Sequence, residues 1–517
     1  MRRLFPLFAA AGLAAQEPAV WRSEFYPENW TPQHTLPDGR FLHDFSYAGY
    51  RGGEEPPVVA GPEFVLQGAD ATGAADATAT IQALLDEAGA KGGGVVRIPA
   101  GLYRCDGVLT MRHPHLVLRG DGPDQTRLFF TSMPGGGKNH LNLAGGFRLG
   151  DEIPLARDGA NRADYVEVAD PGALAVGQEV AVGWTITPEF IEEHGMTGTW
   201  KAFNGTWRPI FLRTVAAIDA ENQPARVYLD VPLRYPAQVR DRASIKLASG
   251  YLAESGIENL GVSNAIDGKT AWEKPGIHAI GLRGVKDCWV RNVHSFPSPL
   301  AEAKDYHLQN GGILIVQSRR VTVADCDMRK AQNRGGGGAG YLFHVSRSNE
   351  ILTRDCVGIA GRHNFIQNWD FGSTGLVWLR CHSAEGRGYN SRLDPVGYMG
   401  LSEYHHSLAM ACLVDACTLD DGWFGGNRHD WSSGAGGTVT QSVYWNTAGR
   451  GVLRSWQSGH GYIIGTTDIR VETSLDQRYG QHTAPEDTRE GIGQGAGLRP
   501  VSLYEDQRAR RLQSWPK

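Results

Sequence analysis

Residues 351–394 read ILTRDCVGIAGRHNFIQNWDFGSTGLVWLRCHSAEGRGYNSRLD. Two short β-branched and apolar runs, ILTRDC ending at Cys356 and LVWLRC ending at Cys381, superimpose on their cysteines. Each leads into a turn rich in Gly, Asn, Arg, His and aromatics. Working outward, VTVADC ends at Cys326 and LVDAC at Cys417, so the four cysteines lie 30, 25 and 36 residues apart. A repeat of this size, made of strands and without amphipathic helices between them, predicts a solenoid, and a parallel β-helix fits best. Equivalent residues of successive coils then sit about 4.8 Å apart. The turns stack, bringing Asn333-Arg334, Arg362-His363-Asn364, Arg387 with Tyr389 to Arg392, and Asn427-Arg428-His429 to one edge. A column of like charges needs interleaved carboxylates or an anion to hold it. Asp370, Glu385, Asp394, Asp420 and Asp421 are the candidate carboxylates, and a bound acidic polymer is the alternative.

The chain has 517 residues, 67 of them glycine, as a coil with many tight turns requires. A formal charge of −5 argues against a nucleic-acid partner and leaves room only for a local basic groove. Residues 1–15 carry two arginines, an apolar run and small residues at Gly12 and Ala14, the pattern of a secretory signal peptide. No later run reaches the roughly 18 apolar residues of a membrane helix. The expectation is a secreted or periplasmic protein with no membrane partner. Seven cysteines are odd in number, and the four aligned ones read as a buried stack of small side chains rather than disulfides.

In order, residues 16–61 are rich in Pro, Trp and Tyr and are expected to wrap the solenoid. Residues 62–150 begin the coils: Ile81, Leu84, Leu85 and Ala88 share one face of a helix, Gly92 to Gly94 stop it, and Val95, Val96 and Ile98 start a strand. A helix there caps the open end of the solenoid. Alternating strands and turns over 151–248 predict an inserted β subdomain. Coils resume over 249–480, and 481–517 form a tail.

The segment LQGADATGAADATATIQALLDEAGAKGGGVVRIPAGLYRC, followed by LVLRGDGPDQTRL, resembles the N-terminal module of the pectate lyase superfamily over about Leu66 to Leu128. The resemblance implies an all-β, right-handed parallel β-helix. It implies less about activity, since that superfamily holds lyases, glycoside hydrolases, epimerases and tailspikes.

Three constellations bear chemistry. Arg362-His363-Asn364, with Asn368, Trp369 and Asp370, suits proton abstraction beside a carboxylate: arginine neutralises it and histidine takes the proton. Tyr404-His405-His406 offers an acid and a base, with at most one of the histidines facing the same groove as Arg362 because strand residues alternate. Asp420-Asp421, before Trp423, Asn427 and Arg428, offers the paired carboxylates of glycoside hydrolysis, or oxygen ligands for Ca²⁺. The histidine pair lacks an evident third metal ligand. Trp369, Trp423 and Trp431 fall in turns where they can stack on sugar faces. The resulting expectation is a polysaccharide lyase cleaving an acidic polymer by β-elimination. His363 or His405 is its base and Tyr404 its acid, and Arg362, Arg392 and Arg428 bind the carboxylates. A hydrolase using Asp420 or Asp421 and a non-catalytic glycan-binding protein remain the alternatives.

Overall fold

The computed structural model describes residues 18–134, 139–274, 276–473 and 485–514. The expected signal peptide over residues 1–15 lies outside them. Among the described residues, no helix is long and apolar enough to cross a membrane.

The fold is a right-handed parallel β-helix. Strands Arg319–Ala324, Leu352–Arg354, Val377–Leu379 and Leu413–Asp415 follow one another in one parallel sheet, with Val323 opposite Thr353, Thr353 opposite Trp378, and Trp378 opposite Val414. The register is that of the aligned cysteines. Cys326, Cys356, Cys381 and Cys417 are all buried and unpaired. Each thiol donates toward a carbonyl of the preceding coil, those of Val290, Val323, Thr353 and Trp378 respectively. The residue before each cysteine, Asp325, Asp355, Arg380 or Ala416, has φ between 49° and 55°. That left-handed corner turns the chain in every coil, at a cost of about 1–2 kcal/mol per non-glycine residue. The stacked ladder around it offsets that cost.

A second parallel sheet of ten strands closes the coil. It runs through His278–Arg283, Gly311–Val316, Tyr341–Ser346, His363–Gln367, Ser402–Tyr404, Gly422–Gly425, Val452–Ser455 and Arg470–Glu472. Between the sheets lies one continuous core of apolar side chains. The helix Thr78–Ala90 seals its first end with Ile81, Leu85 and Ala88, and the Asp76 carboxylate accepts the Thr78 amide at its start.

A six-stranded antiparallel sheet spanning Arg148–Pro154 to Ser244–Ser249 is inserted between coils and has its own core around Trp184, Trp200, Phe203 and Phe211. Phe371, Leu408 and Met410 of the coils are part of that core. Its attachment is also polar. Asn349 accepts the Leu212 amide and donates to Ile210, while Glu350, fully buried, takes a two-point contact from Arg234 and lies 3.6 Å from Arg213. On the opposite side, Phe25, Tyr26, Trp30 and Phe45 pack with the helix Leu503–Ser514 over Leu352, Leu379, Leu413 and Trp445.

Candidate active site

Strand alternation decides what the second sheet shows to solvent. Along Ser402–Tyr404, Ser402 and Tyr404 turn inward and Glu403 outward, and His405 follows just past the strand's end. In register beside Glu403 lie Phe424, Arg454 and Glu472 on the three following strands. Together with the turns on either side, they floor a cleft of about 1120 Å³.

The centre of the cleft is Glu403. Its Oε1 lies 3.2 Å from His363 Nε2 and contacts His405 Nδ1, and its Oε2 accepts from Arg428 at 2.9 Å. Burial works to raise the Glu403 carboxyl, but Arg428, His363 and His405 outweigh it and hold the group well below the usual carboxylate range. Burial pushes His363 down to about 3 and also lowers His405. His363 Nδ1 donates to the Leu401 carbonyl at 2.6 Å, so both of its nitrogens are engaged. One donor atom each from His363, Glu403 and His405 lies within 4.8 Å of the others.

Above this cluster stands Tyr341, which is in register with His363. Its ring centroid is 5.1, 5.4 and 6.3 Å from those of His344, His363 and His405. Its hydroxyl accepts from Arg362 at 2.7 Å. Burial raises the phenol and Arg362 opposes that shift. Aromatic rings continue along the cleft. Trp369 is 43% and Trp431 55% exposed, and Phe424 and Trp456 lie on the same walls.

Of the residues expected from the sequence, Arg362, His363, His405, Asn368, Trp369, Asn427, Arg428 and Trp431 line this one cleft. The others do not. Tyr404 and Trp423 are inside the solenoid, their rings 5.6 Å apart: Tyr404 takes an inward position on Ser402–Tyr404, and Trp423, expected in a turn, lies on the strand Gly422–Gly425 and packs inward. Asn364 and Asp421 form an interior corner: Asp421 Oδ2 accepts from Asn364, Ser383 and the Gly386 amide. Burial pushes its carboxyl up to about 6 against those bonds. Asp420 pairs instead with His382 and Arg450. Arg392 is exposed and lies outside the cleft lining. The expected arginine column therefore does not form. Arg428 is matched by Glu403, and the two Nη groups of Arg362 donate to the Gly335 carbonyl and Tyr341. His406 joins His405 at the cleft, since the strand ends at Tyr404 and alternation stops constraining the next residues.

Sequence reasoning missed Glu403 and Tyr341. Glu403 was accessible from the pattern, being two residues before His405 and so on the same strand face. Tyr341 was not, since only register brings it beside His363.

No family model matches the sequence, and no curated protein matches it. Solved structures do. The tailspike gp61 of Pseudomonas phage phi297 is 12% identical with TM-score 0.38, covering 84% of this chain and 80% of the tailspike. The A-module of the mannuronan C-5 epimerase AlgE6 of Azotobacter vinelandii is 11% identical with TM-score 0.32, covering 83% and 94%. The ORF18 protein of Geobacillus virus E2 is 11% identical with TM-score 0.35, and here the chain spans 61% of the longer protein.

Proposed function

We propose that the cleft belongs to an exported polysaccharide lyase of the pectate lyase superfamily that cleaves an acidic polymer by β-elimination. The observation that carries this reading is the single carboxylate at the centre of an aromatic-walled cleft. Hydrolysis uses two carboxyl groups roughly 5–9.5 Å apart. Among the described lining residues the other carboxylate is Glu472, three strands from Glu403 and so about 14 Å along the sheet, and it is paired with Arg454. Asp420 and Asp421 lie outside the cleft lining, which supports elimination over hydrolysis as the reading.

The group assigned to proton transfer in this reading is Tyr341. In the elimination its oxygen, as phenolate, takes the proton from C5 of a uronate. The C–H electrons form the C4–C5 double bond, the C4–O4 bond breaks, and O4 leaves with the proton Tyr341 has just received. Phenolate is thereby regenerated. Arg362, donating to the Tyr341 oxygen, works toward the ionised form against the burial that raises the phenol. Trp369 and Trp431 supply faces for the flanking sugars. Incubation with a panel of uronate polymers should give an unsaturated product absorbing in the near ultraviolet. A product carrying a new hydroxyl from water, without that absorbance, would refute elimination.

A further inference from the structure

We propose that His363, Glu403 and His405 form a binding site for a transition-metal ion of the Zn²⁺ or Mn²⁺ kind, opening into the cleft. The inference deepens the lyase reading and, as to the ion's role, rests on it: the ion would hold the uronate carboxylate beside Tyr341.

The geometry starts from the Leu401 carbonyl. A carbonyl only accepts, so the 2.6 Å contact fixes the hydrogen of the His363 ring on Nδ1 and leaves a lone pair on Nε2. That lone pair faces Glu403 Oε1 across 3.2 Å. Two acceptors so placed repel unless something positive lies between them, a proton or a metal ion. The separation also matches a coordination edge: ligands bound at about 2.1 Å in tetrahedral geometry are about 3.4 Å from each other. His405 Nδ1 meets the same carboxylate oxygen, completing three donors from two adjacent strands and the residue just past the second.

The surroundings are those of a held ligand set. Leu401 orients one imidazole, and Arg428 takes Glu403 Oε2, leaving Oε1 to the ion. All three ligating residues are buried, at 8%, 3% and 8% exposure, on the floor of the cleft rather than on open surface. Two imidazole nitrogens and one carboxylate oxygen suit first-row transition ions, whereas Ca²⁺ takes six to eight oxygens. The Ca²⁺ expected as an option from the aspartates has no counterpart in this donor set. Three protein ligands leave a coordination position toward the cleft. With Arg362 and Arg428 adjoining, an ion there leaves excess positive charge, which selects an anionic group for that position.

The test is metal binding by the full chain without substrate. After chelator treatment, ZnCl₂, MnCl₂ and CaCl₂ are titrated separately by calorimetry, and the reloaded chain is assayed for bound metal. One Zn²⁺ or Mn²⁺ per chain is expected, at least tenfold tighter than Ca²⁺, with Glu403→Gln and His363→Ala each weakening it by a hundredfold or more. Asp420→Asn should bind as the parent does. X-ray absorption of the Zn²⁺-loaded parent needs no variant and should show two imidazole scatterers. Absence of binding, loss of binding in none of the cleft variants, or an all-oxygen shell would overturn the site and leave a proton in the gap. A chain that holds Zn²⁺ but releases no unsaturated product keeps the site and refutes elimination. A chain that binds Zn²⁺ yet eliminates at full rate when metal-free keeps the site and refutes the ion's role in holding the carboxylate.

Discussion

Replacing Glu350 by Gln keeps the side chain's shape and removes its charge. In the parent, that fully buried carboxylate receives Arg234 Nε at 2.9 Å and Nη2 at 2.7 Å, with Arg213 at 3.6 Å and both guanidinium groups nearly without solvent. Arg213 already feels its burial, which lowers it to about 10. After the substitution, two buried cations face each other without their nearest counter-charge, leaving only the more distant Asp230 and Asp44. Breaking one partner out of a buried pair costs about 3–5 kcal/mol, a large part of the roughly 5–15 kcal/mol that holds a domain folded. Urea unfolding followed by tryptophan fluorescence should show the midpoint falling by that equivalent, the slope being checked for a change of cooperativity. The loss should also reach the cleft. The inserted subdomain carries Phe203, whose ring lies 5.7 Å from Trp369 and 5.9 Å from His406, and Arg208, which pairs with Asp370 at 3.1 Å. Weaker saccharide binding should therefore accompany the lower stability. A loss below about 1 kcal/mol with unchanged binding would refute the view that Glu350 fastens the subdomain and, through it, the cleft wall.

Other outcomes follow from the same geometry. Tyr341→Phe should lower kcat by about two orders of magnitude or more with a modest change in KM, whereas Tyr404→Phe, inside the core, should stay within severalfold of the parent. Steady-state rates on one uronate polymer compare the two, and equal effects would remove Tyr341 from the chemistry. Trp369→Ala and Trp431→Ala should each weaken oligosaccharide binding by roughly 0.5–1.5 kcal/mol by calorimetry, with little change in melting temperature. Asp487, pushed up to about 6 by burial beside Ser455 and Gln457, has a folded pKa above its unfolded value. Its contribution is then fully present below about pH 4 and lost as pH rises through 6. Relative to the parent, Asp487→Asn should gain on the order of 2 kcal/mol between pH 4 and 8 in paired urea titrations, and a flat difference would count against that shift.

What the sequence made legible was periodic. The cysteine spacing located one sheet and its register, because a solenoid repeats the same inward position on each coil. It did not give the phase of the opposite sheet. Around residue 404 the pattern SEYHH offers two polar faces, and packing against Trp378 and Trp423, with ring centroids 5.7 and 5.6 Å away, draws Tyr404 inward and leaves Glu403 to the cleft. The arginines were found as a group, but their partners were not. Glu403 matches Arg428 from a neighbouring strand 25 residues earlier, and Gly335 meets Arg362 across a turn. Such pairings depend on coil-to-coil register at turns of unequal length, which the spacing of cysteines does not encode.

The thiol column gives the folded chain a chemical clock. Folded, burial pushes the thiols of Cys105 and Cys412 up to about 12 and holds those of Cys326, Cys356 and Cys381 well above the usual thiol range, so little thiolate exists at these five to react. Unfolded, these five lose the burial that holds them back and return to ordinary reactivity. A thiol-directed reagent added during refolding would therefore be excluded coil by coil, and the order in which cysteines escape labelling would record which end of the solenoid closes first. The same exposure makes the unfinished chain vulnerable: an oxidant that arrives before the coils have stacked can join thiols that the finished ladder keeps apart from reagents, and chains trapped in that way should be released by a reductant.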